Sequence, residues 1–175
     1  MQARKRFGQH FLHDQGVLQA MTDAIRLQSG DRVLEIGPGQ GALTDYLYRD
    51  ENLHYTAVEI DRDLAPLLTL SYPQMKVINA DVLRLDFSDI FVEDDTRPAW
   101  RVVGNLPYNI SSPLIIKLID CVLEAPGAIA DMHFMLQKEM ASRLCAVPGS
   151  KAWGRLSVMI QVSAVVDYLF DVGPE

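Results

Sequence analysis

Cysteine is nearly missing from this chain: only Cys121 and Cys145 occur in 175 residues. Both fall in apolar helical settings, with neither CxxC spacing nor a neighbouring histidine, so a disulfide framework and a redox pair are excluded and both read as reduced packing residues. Metal-ligand spacing is lacking too. Of the four histidines, His10 and His13 lie three apart but have no carboxylate or cysteine partner, and His54 and His133 stand alone, so no metal is expected. No apolar run approaches the roughly eighteen residues that a membrane-spanning helix needs. The start, Met1-Gln-Ala-Arg-Lys-Arg6, lacks the apolar stretch of a signal peptide. A cytoplasmic protein without membrane contact is the expectation. Positive charge is scarce as well: 16 Lys and Arg against 23 Asp and Glu leave a net charge of −7. That argues against a general nucleic-acid coat, because phosphate binding needs clustered cations. The cations are unevenly spread, however. Arg4, Lys5 and Arg6 form a local cluster that is a candidate RNA contact, while Asp86, Asp89, Glu93, Asp94 and Asp95 concentrate acid elsewhere.

What is present is ordinary globular material, 49% hydrophobic and 22% charged, in a length that suits one domain over residues 1–175. Val17, Leu18, Met21, Ile25 and Leu27 recur near a 3.6-residue period and predict a helix over roughly 14–28, stopping at Ser29-Gly30, so that 1–28 form a basic segment and a helix. Short β-rich runs follow at 32–36, 55–59, 75–79, 101–104 and 133–137. Helical patterns lie near 41–50, 62–71, 112–124 and 138–146. That rhythm predicts an α/β fold, a Rossmann-like, doubly wound and mostly parallel sheet with ligand-binding loops along one edge. A helix near 155–163 and a sixth strand near 164–172 complete the expectation.

Two of those edge loops carry chemistry. In Glu35-Ile-Gly-Pro-Gly-Gln-Gly41 the glycines let backbone turn sharply and approach a ligand before the next helix. The spacing is GxGxG rather than the GxGxxG of a dinucleotide pyrophosphate site. Glu59 ends the second strand about twenty residues on, where an acid in such folds accepts ribose hydroxyls. Asp81 follows the third strand, suitably placed to accept an adenine amine. An adenosine-containing cofactor is therefore expected, S-adenosyl-L-methionine ahead of NAD, since nothing provides a pyrophosphate cradle. The second loop, Asn105-Leu106-Pro107-Tyr108, follows the fourth strand. An adenine N6 amine is a poor nucleophile because its lone pair is delocalised into the ring. Two acceptors aimed at its hydrogens, the Asn105 side-chain oxygen and a carbonyl of Leu106-Pro107, would make it pyramidal, with Pro107 holding the loop in shape. Tyr108 would stack on a base taken out of its helix, with Phe134, after the fifth strand, either a second wall of the slot or a core aromatic.

Arg4-Lys-Arg-Phe-Gly-Gln-His-Phe-Leu12, Glu35-Ile-Gly-Pro-Gly39, Val58-Glu-Ile-Asp61, Asn79-Ala-Asp81, Gly104-Asn-Leu-Pro-Tyr-Asn-Ile-Ser-Ser-Pro113 and Gln137-Lys-Glu-Met140 together resemble the small-subunit ribosomal RNA adenine N6,N6-dimethyltransferases, across essentially the whole chain. The resemblance implies a class I S-adenosylmethionine-dependent methyltransferase that dimethylates N6 of two adjacent adenosines in the 3′-terminal hairpin loop of the small-subunit RNA, within the 30S particle or its precursor. It also implies a part in ribosome maturation, and loss of the bacterial enzyme confers kasugamycin resistance. His10 and Leu12 would line the cofactor site with Gly37, Gly39, Glu59, Asp81 and Asn105. Many members have Asn where His10 stands. The sister family acting on large-subunit RNA typically has an Asn-Ile-Pro-Tyr loop and a Ser-Gln-Asn-Phe start, so Leu106 and Gly8 favour the small-subunit reading. The chain ends where such relatives continue into a last strand and a helical RNA-binding domain, which implies a catalytic-domain portion, expected to be monomeric.

Overall fold

The computed structural model describes residues 14–91 and 96–173. Helix α1 (Gln15–Ile25) opens on Asp14, whose carboxylate accepts the N–H groups of Gly16 and Val17, and it closes on Arg26 in the left-handed conformation. The helix thus ends short of the Ser29-Gly30 stop. Five parallel strands follow: β1 (Arg32–Ile36), β2 (His54–Glu59), β3 (Lys76–Asn79), β4 (Trp100–Asn105) and β5 (Ile129–Met135). Between and after them run α2 (Thr44–Leu47), α3 (Leu64–Ser71), α4 (Tyr108–Glu124), α5 (Lys138–Leu144) and α6 (Arg155–Gln161).

The strand order is β3-β2-β1-β4-β5. The chain winds outward from β1 to β3, then returns to β1's other side, so the direction reverses between β1 and β4. Alternation along the strands feeds two cores. Leu34, Ile36 and Val102 point to the face covered by Leu114, Leu118 and Ile119 of α4, Met140 of α5 and Ile160 of α6. Val33, Ala57 and Val103 point to the face covered by Leu18, Met21 and Ile25 of α1, Leu47 of α2 and Leu68 of α3. Burying such a leucine or isoleucine contributes about 1.5–3 kcal/mol. Arg101 of β4 clamps α1 to the sheet. Its guanidinium donates to Asp131 at 2.8 Å, to Asp31 at 3.1 Å and to the carbonyls of Ile25 and Arg26.

Several elements differ from the sequence reading. The helix near 41–50 contracts to Thr44–Leu47. The fifth strand starts four residues earlier than the pattern suggested, and Asp131 within it is neutralised by Arg101 across the β4–β5 ladder. Phe134 therefore lies inside β5, opposite Gly104, and not beyond it. Residues 164–172 form no strand. They run irregularly, with Val165, Leu169 and Phe170 exposed, and no strand among the described residues pairs with them.

Candidate active site

Because all five strands are parallel, the loops leaving their carboxyl ends share one edge, and β1 and β4 stand side by side at the reversal of strand order. Each carries one of the two informative loops. In such sheets that crevice is where ligands bind.

After β1 the chain turns through Gly37, Gly39 and Gly41 at φ +64°, +60° and +88°. The Gly37 N–H donates to the Val58 carbonyl at 2.8 Å, which ties the turn to β2, and a Cβ at Gly37 would meet nothing within 4 Å among the described residues. Among the described residues the loop is thus anchored to β2 and open at Gly37. Glu59, at the end of β2, is wholly buried beneath it. One carboxylate oxygen accepts the Gly39 N–H at 2.9 Å and the other the Asp61 N–H at 2.8 Å. Burial raises the Glu59 carboxyl above the usual range, and those amides work against the shift. Its main-chain carbonyl accepts the Asn79 side-chain amide at 2.8 Å and the Ala80 N–H at 3.1 Å, which brings the end of β3 alongside. Asp81 follows at once, partly open to water. It accepts the Leu83 N–H at 3.0 Å and faces the Arg84 guanidinium at 3.6 Å.

Glu35 is the residue whose part the sequence reading missed. It lies on the α1–α2–α3 face of β1 and is fully buried. A single carboxylate oxygen accepts the Thr44 hydroxyl at 2.7 Å and the Tyr55 hydroxyl at 2.8 Å. Desolvation raises its carboxyl to about 7 against the pull of the two hydroxyls, with Glu59 and Asp45 pushing the same way as burial. The available hint was an acid in the apolar run Arg32-Val-Leu-Glu-Ile36.

On the β4 side, Asn105 is the last strand residue, in register with Met135. The Leu106 N–H donates to the Met135 carbonyl at 3.0 Å, and the Leu106 side chain is buried. Pro107 leads straight into α4, so the helix begins at Tyr108 and not near residue 112. The two carbonyls of Leu106-Pro107 differ. That of Pro107 accepts the N–H groups of Ile110 and Ser111, both at 3.2 Å, whereas that of Leu106 accepts none among the described residues. Gly104 sets how closely the loop approaches β1, since a Cβ there would stand 2.8 Å from the Ile36 carbonyl. Tyr108 is 62% exposed at the first turn of α4, while Phe134 is half-buried against the core.

The structure thus brings Gly37, Gly39, Glu59, Asp81, Asn105, Leu106, Pro107 and Tyr108 to one edge. Arg4, Lys5, Arg6, His10 and Leu12 lie outside the described residues. Among the described residues no three of His, Cys, Asp and Glu group as metal ligands, and no helix is long and apolar enough to cross a membrane.

Residues 1–175 match the family model of ribosomal RNA adenine dimethylases. The chain belongs to that family. Relatives in it include proteins named ribosomal RNA small subunit methyltransferase A. The one from Hahella chejuensis is 51% identical over 99% of this chain and 62% of its own length. The one from Pseudomonas aeruginosa is 50% identical over 98% and 62%. The chain therefore spans about three-fifths of the length of these relatives. Among solved structures, a dimethyladenosine transferase from Plasmodium falciparum is similar with a TM-score of 0.68 and 29% identity, covering 87% of this chain and 52% of that one. The 23S rRNA methyltransferase ErmE is similar with a TM-score of 0.62 and 30% identity, covering 87% and 57%. The fold of this family member is that of these methyltransferases.

Proposed function

We propose that the chain is the catalytic part of an enzyme that uses S-adenosyl-L-methionine to dimethylate N6 of two adjacent adenosines in the 3′-terminal hairpin loop of small-subunit ribosomal RNA. The observation that carries the reading is the Asn105-Leu106 segment at the end of β4, set beside the glycine turn of β1, with a Leu106 carbonyl that accepts no N–H among the described residues. Family membership and the names of relatives about 50% identical support the substrate, ahead of the large-subunit RNA on which ErmE acts by name.

The cofactor fits the residues present. The open side of Gly37 leaves room for a ligand against bare backbone. Glu59 would take the ribose hydroxyls with lone pairs left over from the Gly39 and Asp61 amides, the glycine turn yielding to admit them. Asp81 would accept the adenine amine, and His10 and Leu12 would close the site from the N-terminal segment. Bound there, S-adenosyl-L-methionine supplies an electrophilic methyl group on a sulfonium sulfur. The remaining work belongs to the chain. In the first transfer the Asn105 oxygen and Leu106 carbonyl each accept one hydrogen of the target amine, and in the second one of them accepts the hydrogen that remains, pulling the nitrogen pyramidal and meeting the positive charge that grows on it in the transition state. Tyr108 stacks on the extruded base. Pro107, lacking an N–H, adds no competing donor. The methylated amine is strongly acidic and gives up its proton to solvent or a nearby acceptor, so no side-chain base is assigned.

In this reading Arg4, Lys5 and Arg6 contact RNA phosphates, the partner is the 30S particle or its precursor in the cytoplasm, and the enzyme acts as a monomer. Incubation with S-adenosyl-L-methionine and unmodified small subunits, followed by mass spectrometry of the digested RNA, tests it. N6,N6-dimethyladenosine is the expected product, and Asn105→Ala should lower its yield at least a hundredfold while the far-UV spectrum is kept. An active Asn105→Ala variant would overturn the mechanism. Subunit maturation in cells that survived this substitution would favour a ribosome-assembly role with methylation secondary.

A further inference from the structure

Helix α4 starts at the substrate loop, and nine residues along it stands a cation that no step above uses. A lysine on a helix flank ordinarily carries its ammonium out to water. Lys117 turns inward instead. It donates to the Leu83 carbonyl at 2.9 Å and to the Leu85 carbonyl at 2.5 Å, with its nitrogen 5.2 Å from the centre of the Phe87 ring. These are charge-assisted bonds to main chain, stronger than neutral ones.

The turn it grips is the one that Asp81 opens. The Asp81 carboxylate accepts the Leu83 N–H at 3.0 Å, and the Asp81 main-chain carbonyl accepts the N–H groups of Arg84 at 2.9 Å and Leu85 at 3.0 Å. Leu83 and Leu85 are therefore held twice, by their amides from Asp81 and by their carbonyls from Lys117. Without the ammonium the turn loses the only charged partner of those two carbonyls among the described residues. The Arg84 contact to Asp81, long and open to water, is a weak substitute.

We propose that Lys117 is a positioning residue for recognition of the cofactor's adenine: by clamping the 83–85 turn to α4 it aims the Asp81 carboxylate at the adenine amine. The inference rests on the cofactor reading above and deepens it. It also links the two halves of the site, since the clamp lies on the helix that Tyr108 begins.

The test uses two nucleosides, S-adenosyl-L-homocysteine and its deaminated analogue S-inosyl-L-homocysteine, which has a carbonyl in place of the amine. Their affinities are measured by calorimetry for the chain and for Lys117→Met, Lys117→Gln and Lys117→Arg. The parent chain should prefer the adenosyl compound. Lys117→Met should lose about tenfold in affinity for it and little for the inosyl compound, so that the preference collapses. Lys117→Gln should do the same if the Met variant does not fold, and Lys117→Arg should restore much of the preference. A merely destabilised variant would weaken both ligands alike, and that equal loss would overturn the proposal, as would an unchanged preference. A parent chain that binds neither ligand would overturn the cofactor reading itself, a result distinct from either.

Discussion

Glu35 gives the most quantitative handle on this fold. Its carboxyl titrates near 7 in the folded chain against 4.5 for an ordinary glutamate, a difference equivalent to about 3 kcal/mol. The sign follows from proton counting: between these two values the folded chain keeps a proton that the unfolded chain has released. Stability from this group is therefore fully present below 4.5 and is lost as pH rises through 7. Other groups are shifted as well. Burial also raises Glu59, with the same sign, whereas desolvation lowers His133, whose contribution runs the opposite way. The informative quantity is therefore the difference between the parent and Glu35→Gln. The glutamine oxygen can still accept the Thr44 and Tyr55 hydroxyls but carries no charge to bury. Urea unfolding of both proteins at pH 5 and pH 8 should show the variant gaining on the parent by roughly 2 to 3 kcal/mol over that interval, with similar m-values. A gap that stays constant with pH, or that moves the other way, would refute the argument that burial governs this carboxyl.

Tyr108→Ala should leave the unfolding midpoint nearly untouched, within about 0.5 kcal/mol, because the ring is 62% exposed. It should raise KM for RNA about tenfold or more through lost stacking without altering cofactor affinity. An unaltered KM would remove Tyr108 from the base site. Gly104→Ala puts a methyl group 2.8 Å from the Ile36 carbonyl and should cost about 2 kcal/mol in urea unfolding, with a fall in methyl transfer as Asn105 is pushed away from β1. Normal stability together with normal activity would show that the close approach of β1 and β4 is dispensable.

The sequence by itself determined the parallel α/β architecture, since five apolar β-rich runs separated by helical patterns leave few other ways to bury both faces of a sheet. It also determined which residues stand at the carboxyl edge, because Gly37, Glu59, Asp81 and Asn105 each sit at or just past the end of such a run, and strand polarity does the rest. Tertiary structure decided what local pattern cannot encode. The start of β5 at Ile129 takes in Asp131, a charge that Arg101, thirty residues earlier in the chain, neutralises across the ladder. Glu35 reads as one letter of a glycine motif until Thr44 and Tyr55 close over it. The Leu106 and Pro107 carbonyls are equivalent in sequence, and only the start of α4 at Tyr108 takes one of them out of use. The expected strand near 164–172 had adequate apolar residues but no neighbour to pair with among the described residues, and a strand is stable only as part of a ladder. Side-chain type and local period are properties of a chain segment, whereas charge neutralisation, burial and hydrogen-bond pairing depend on which distant segments the fold brings alongside.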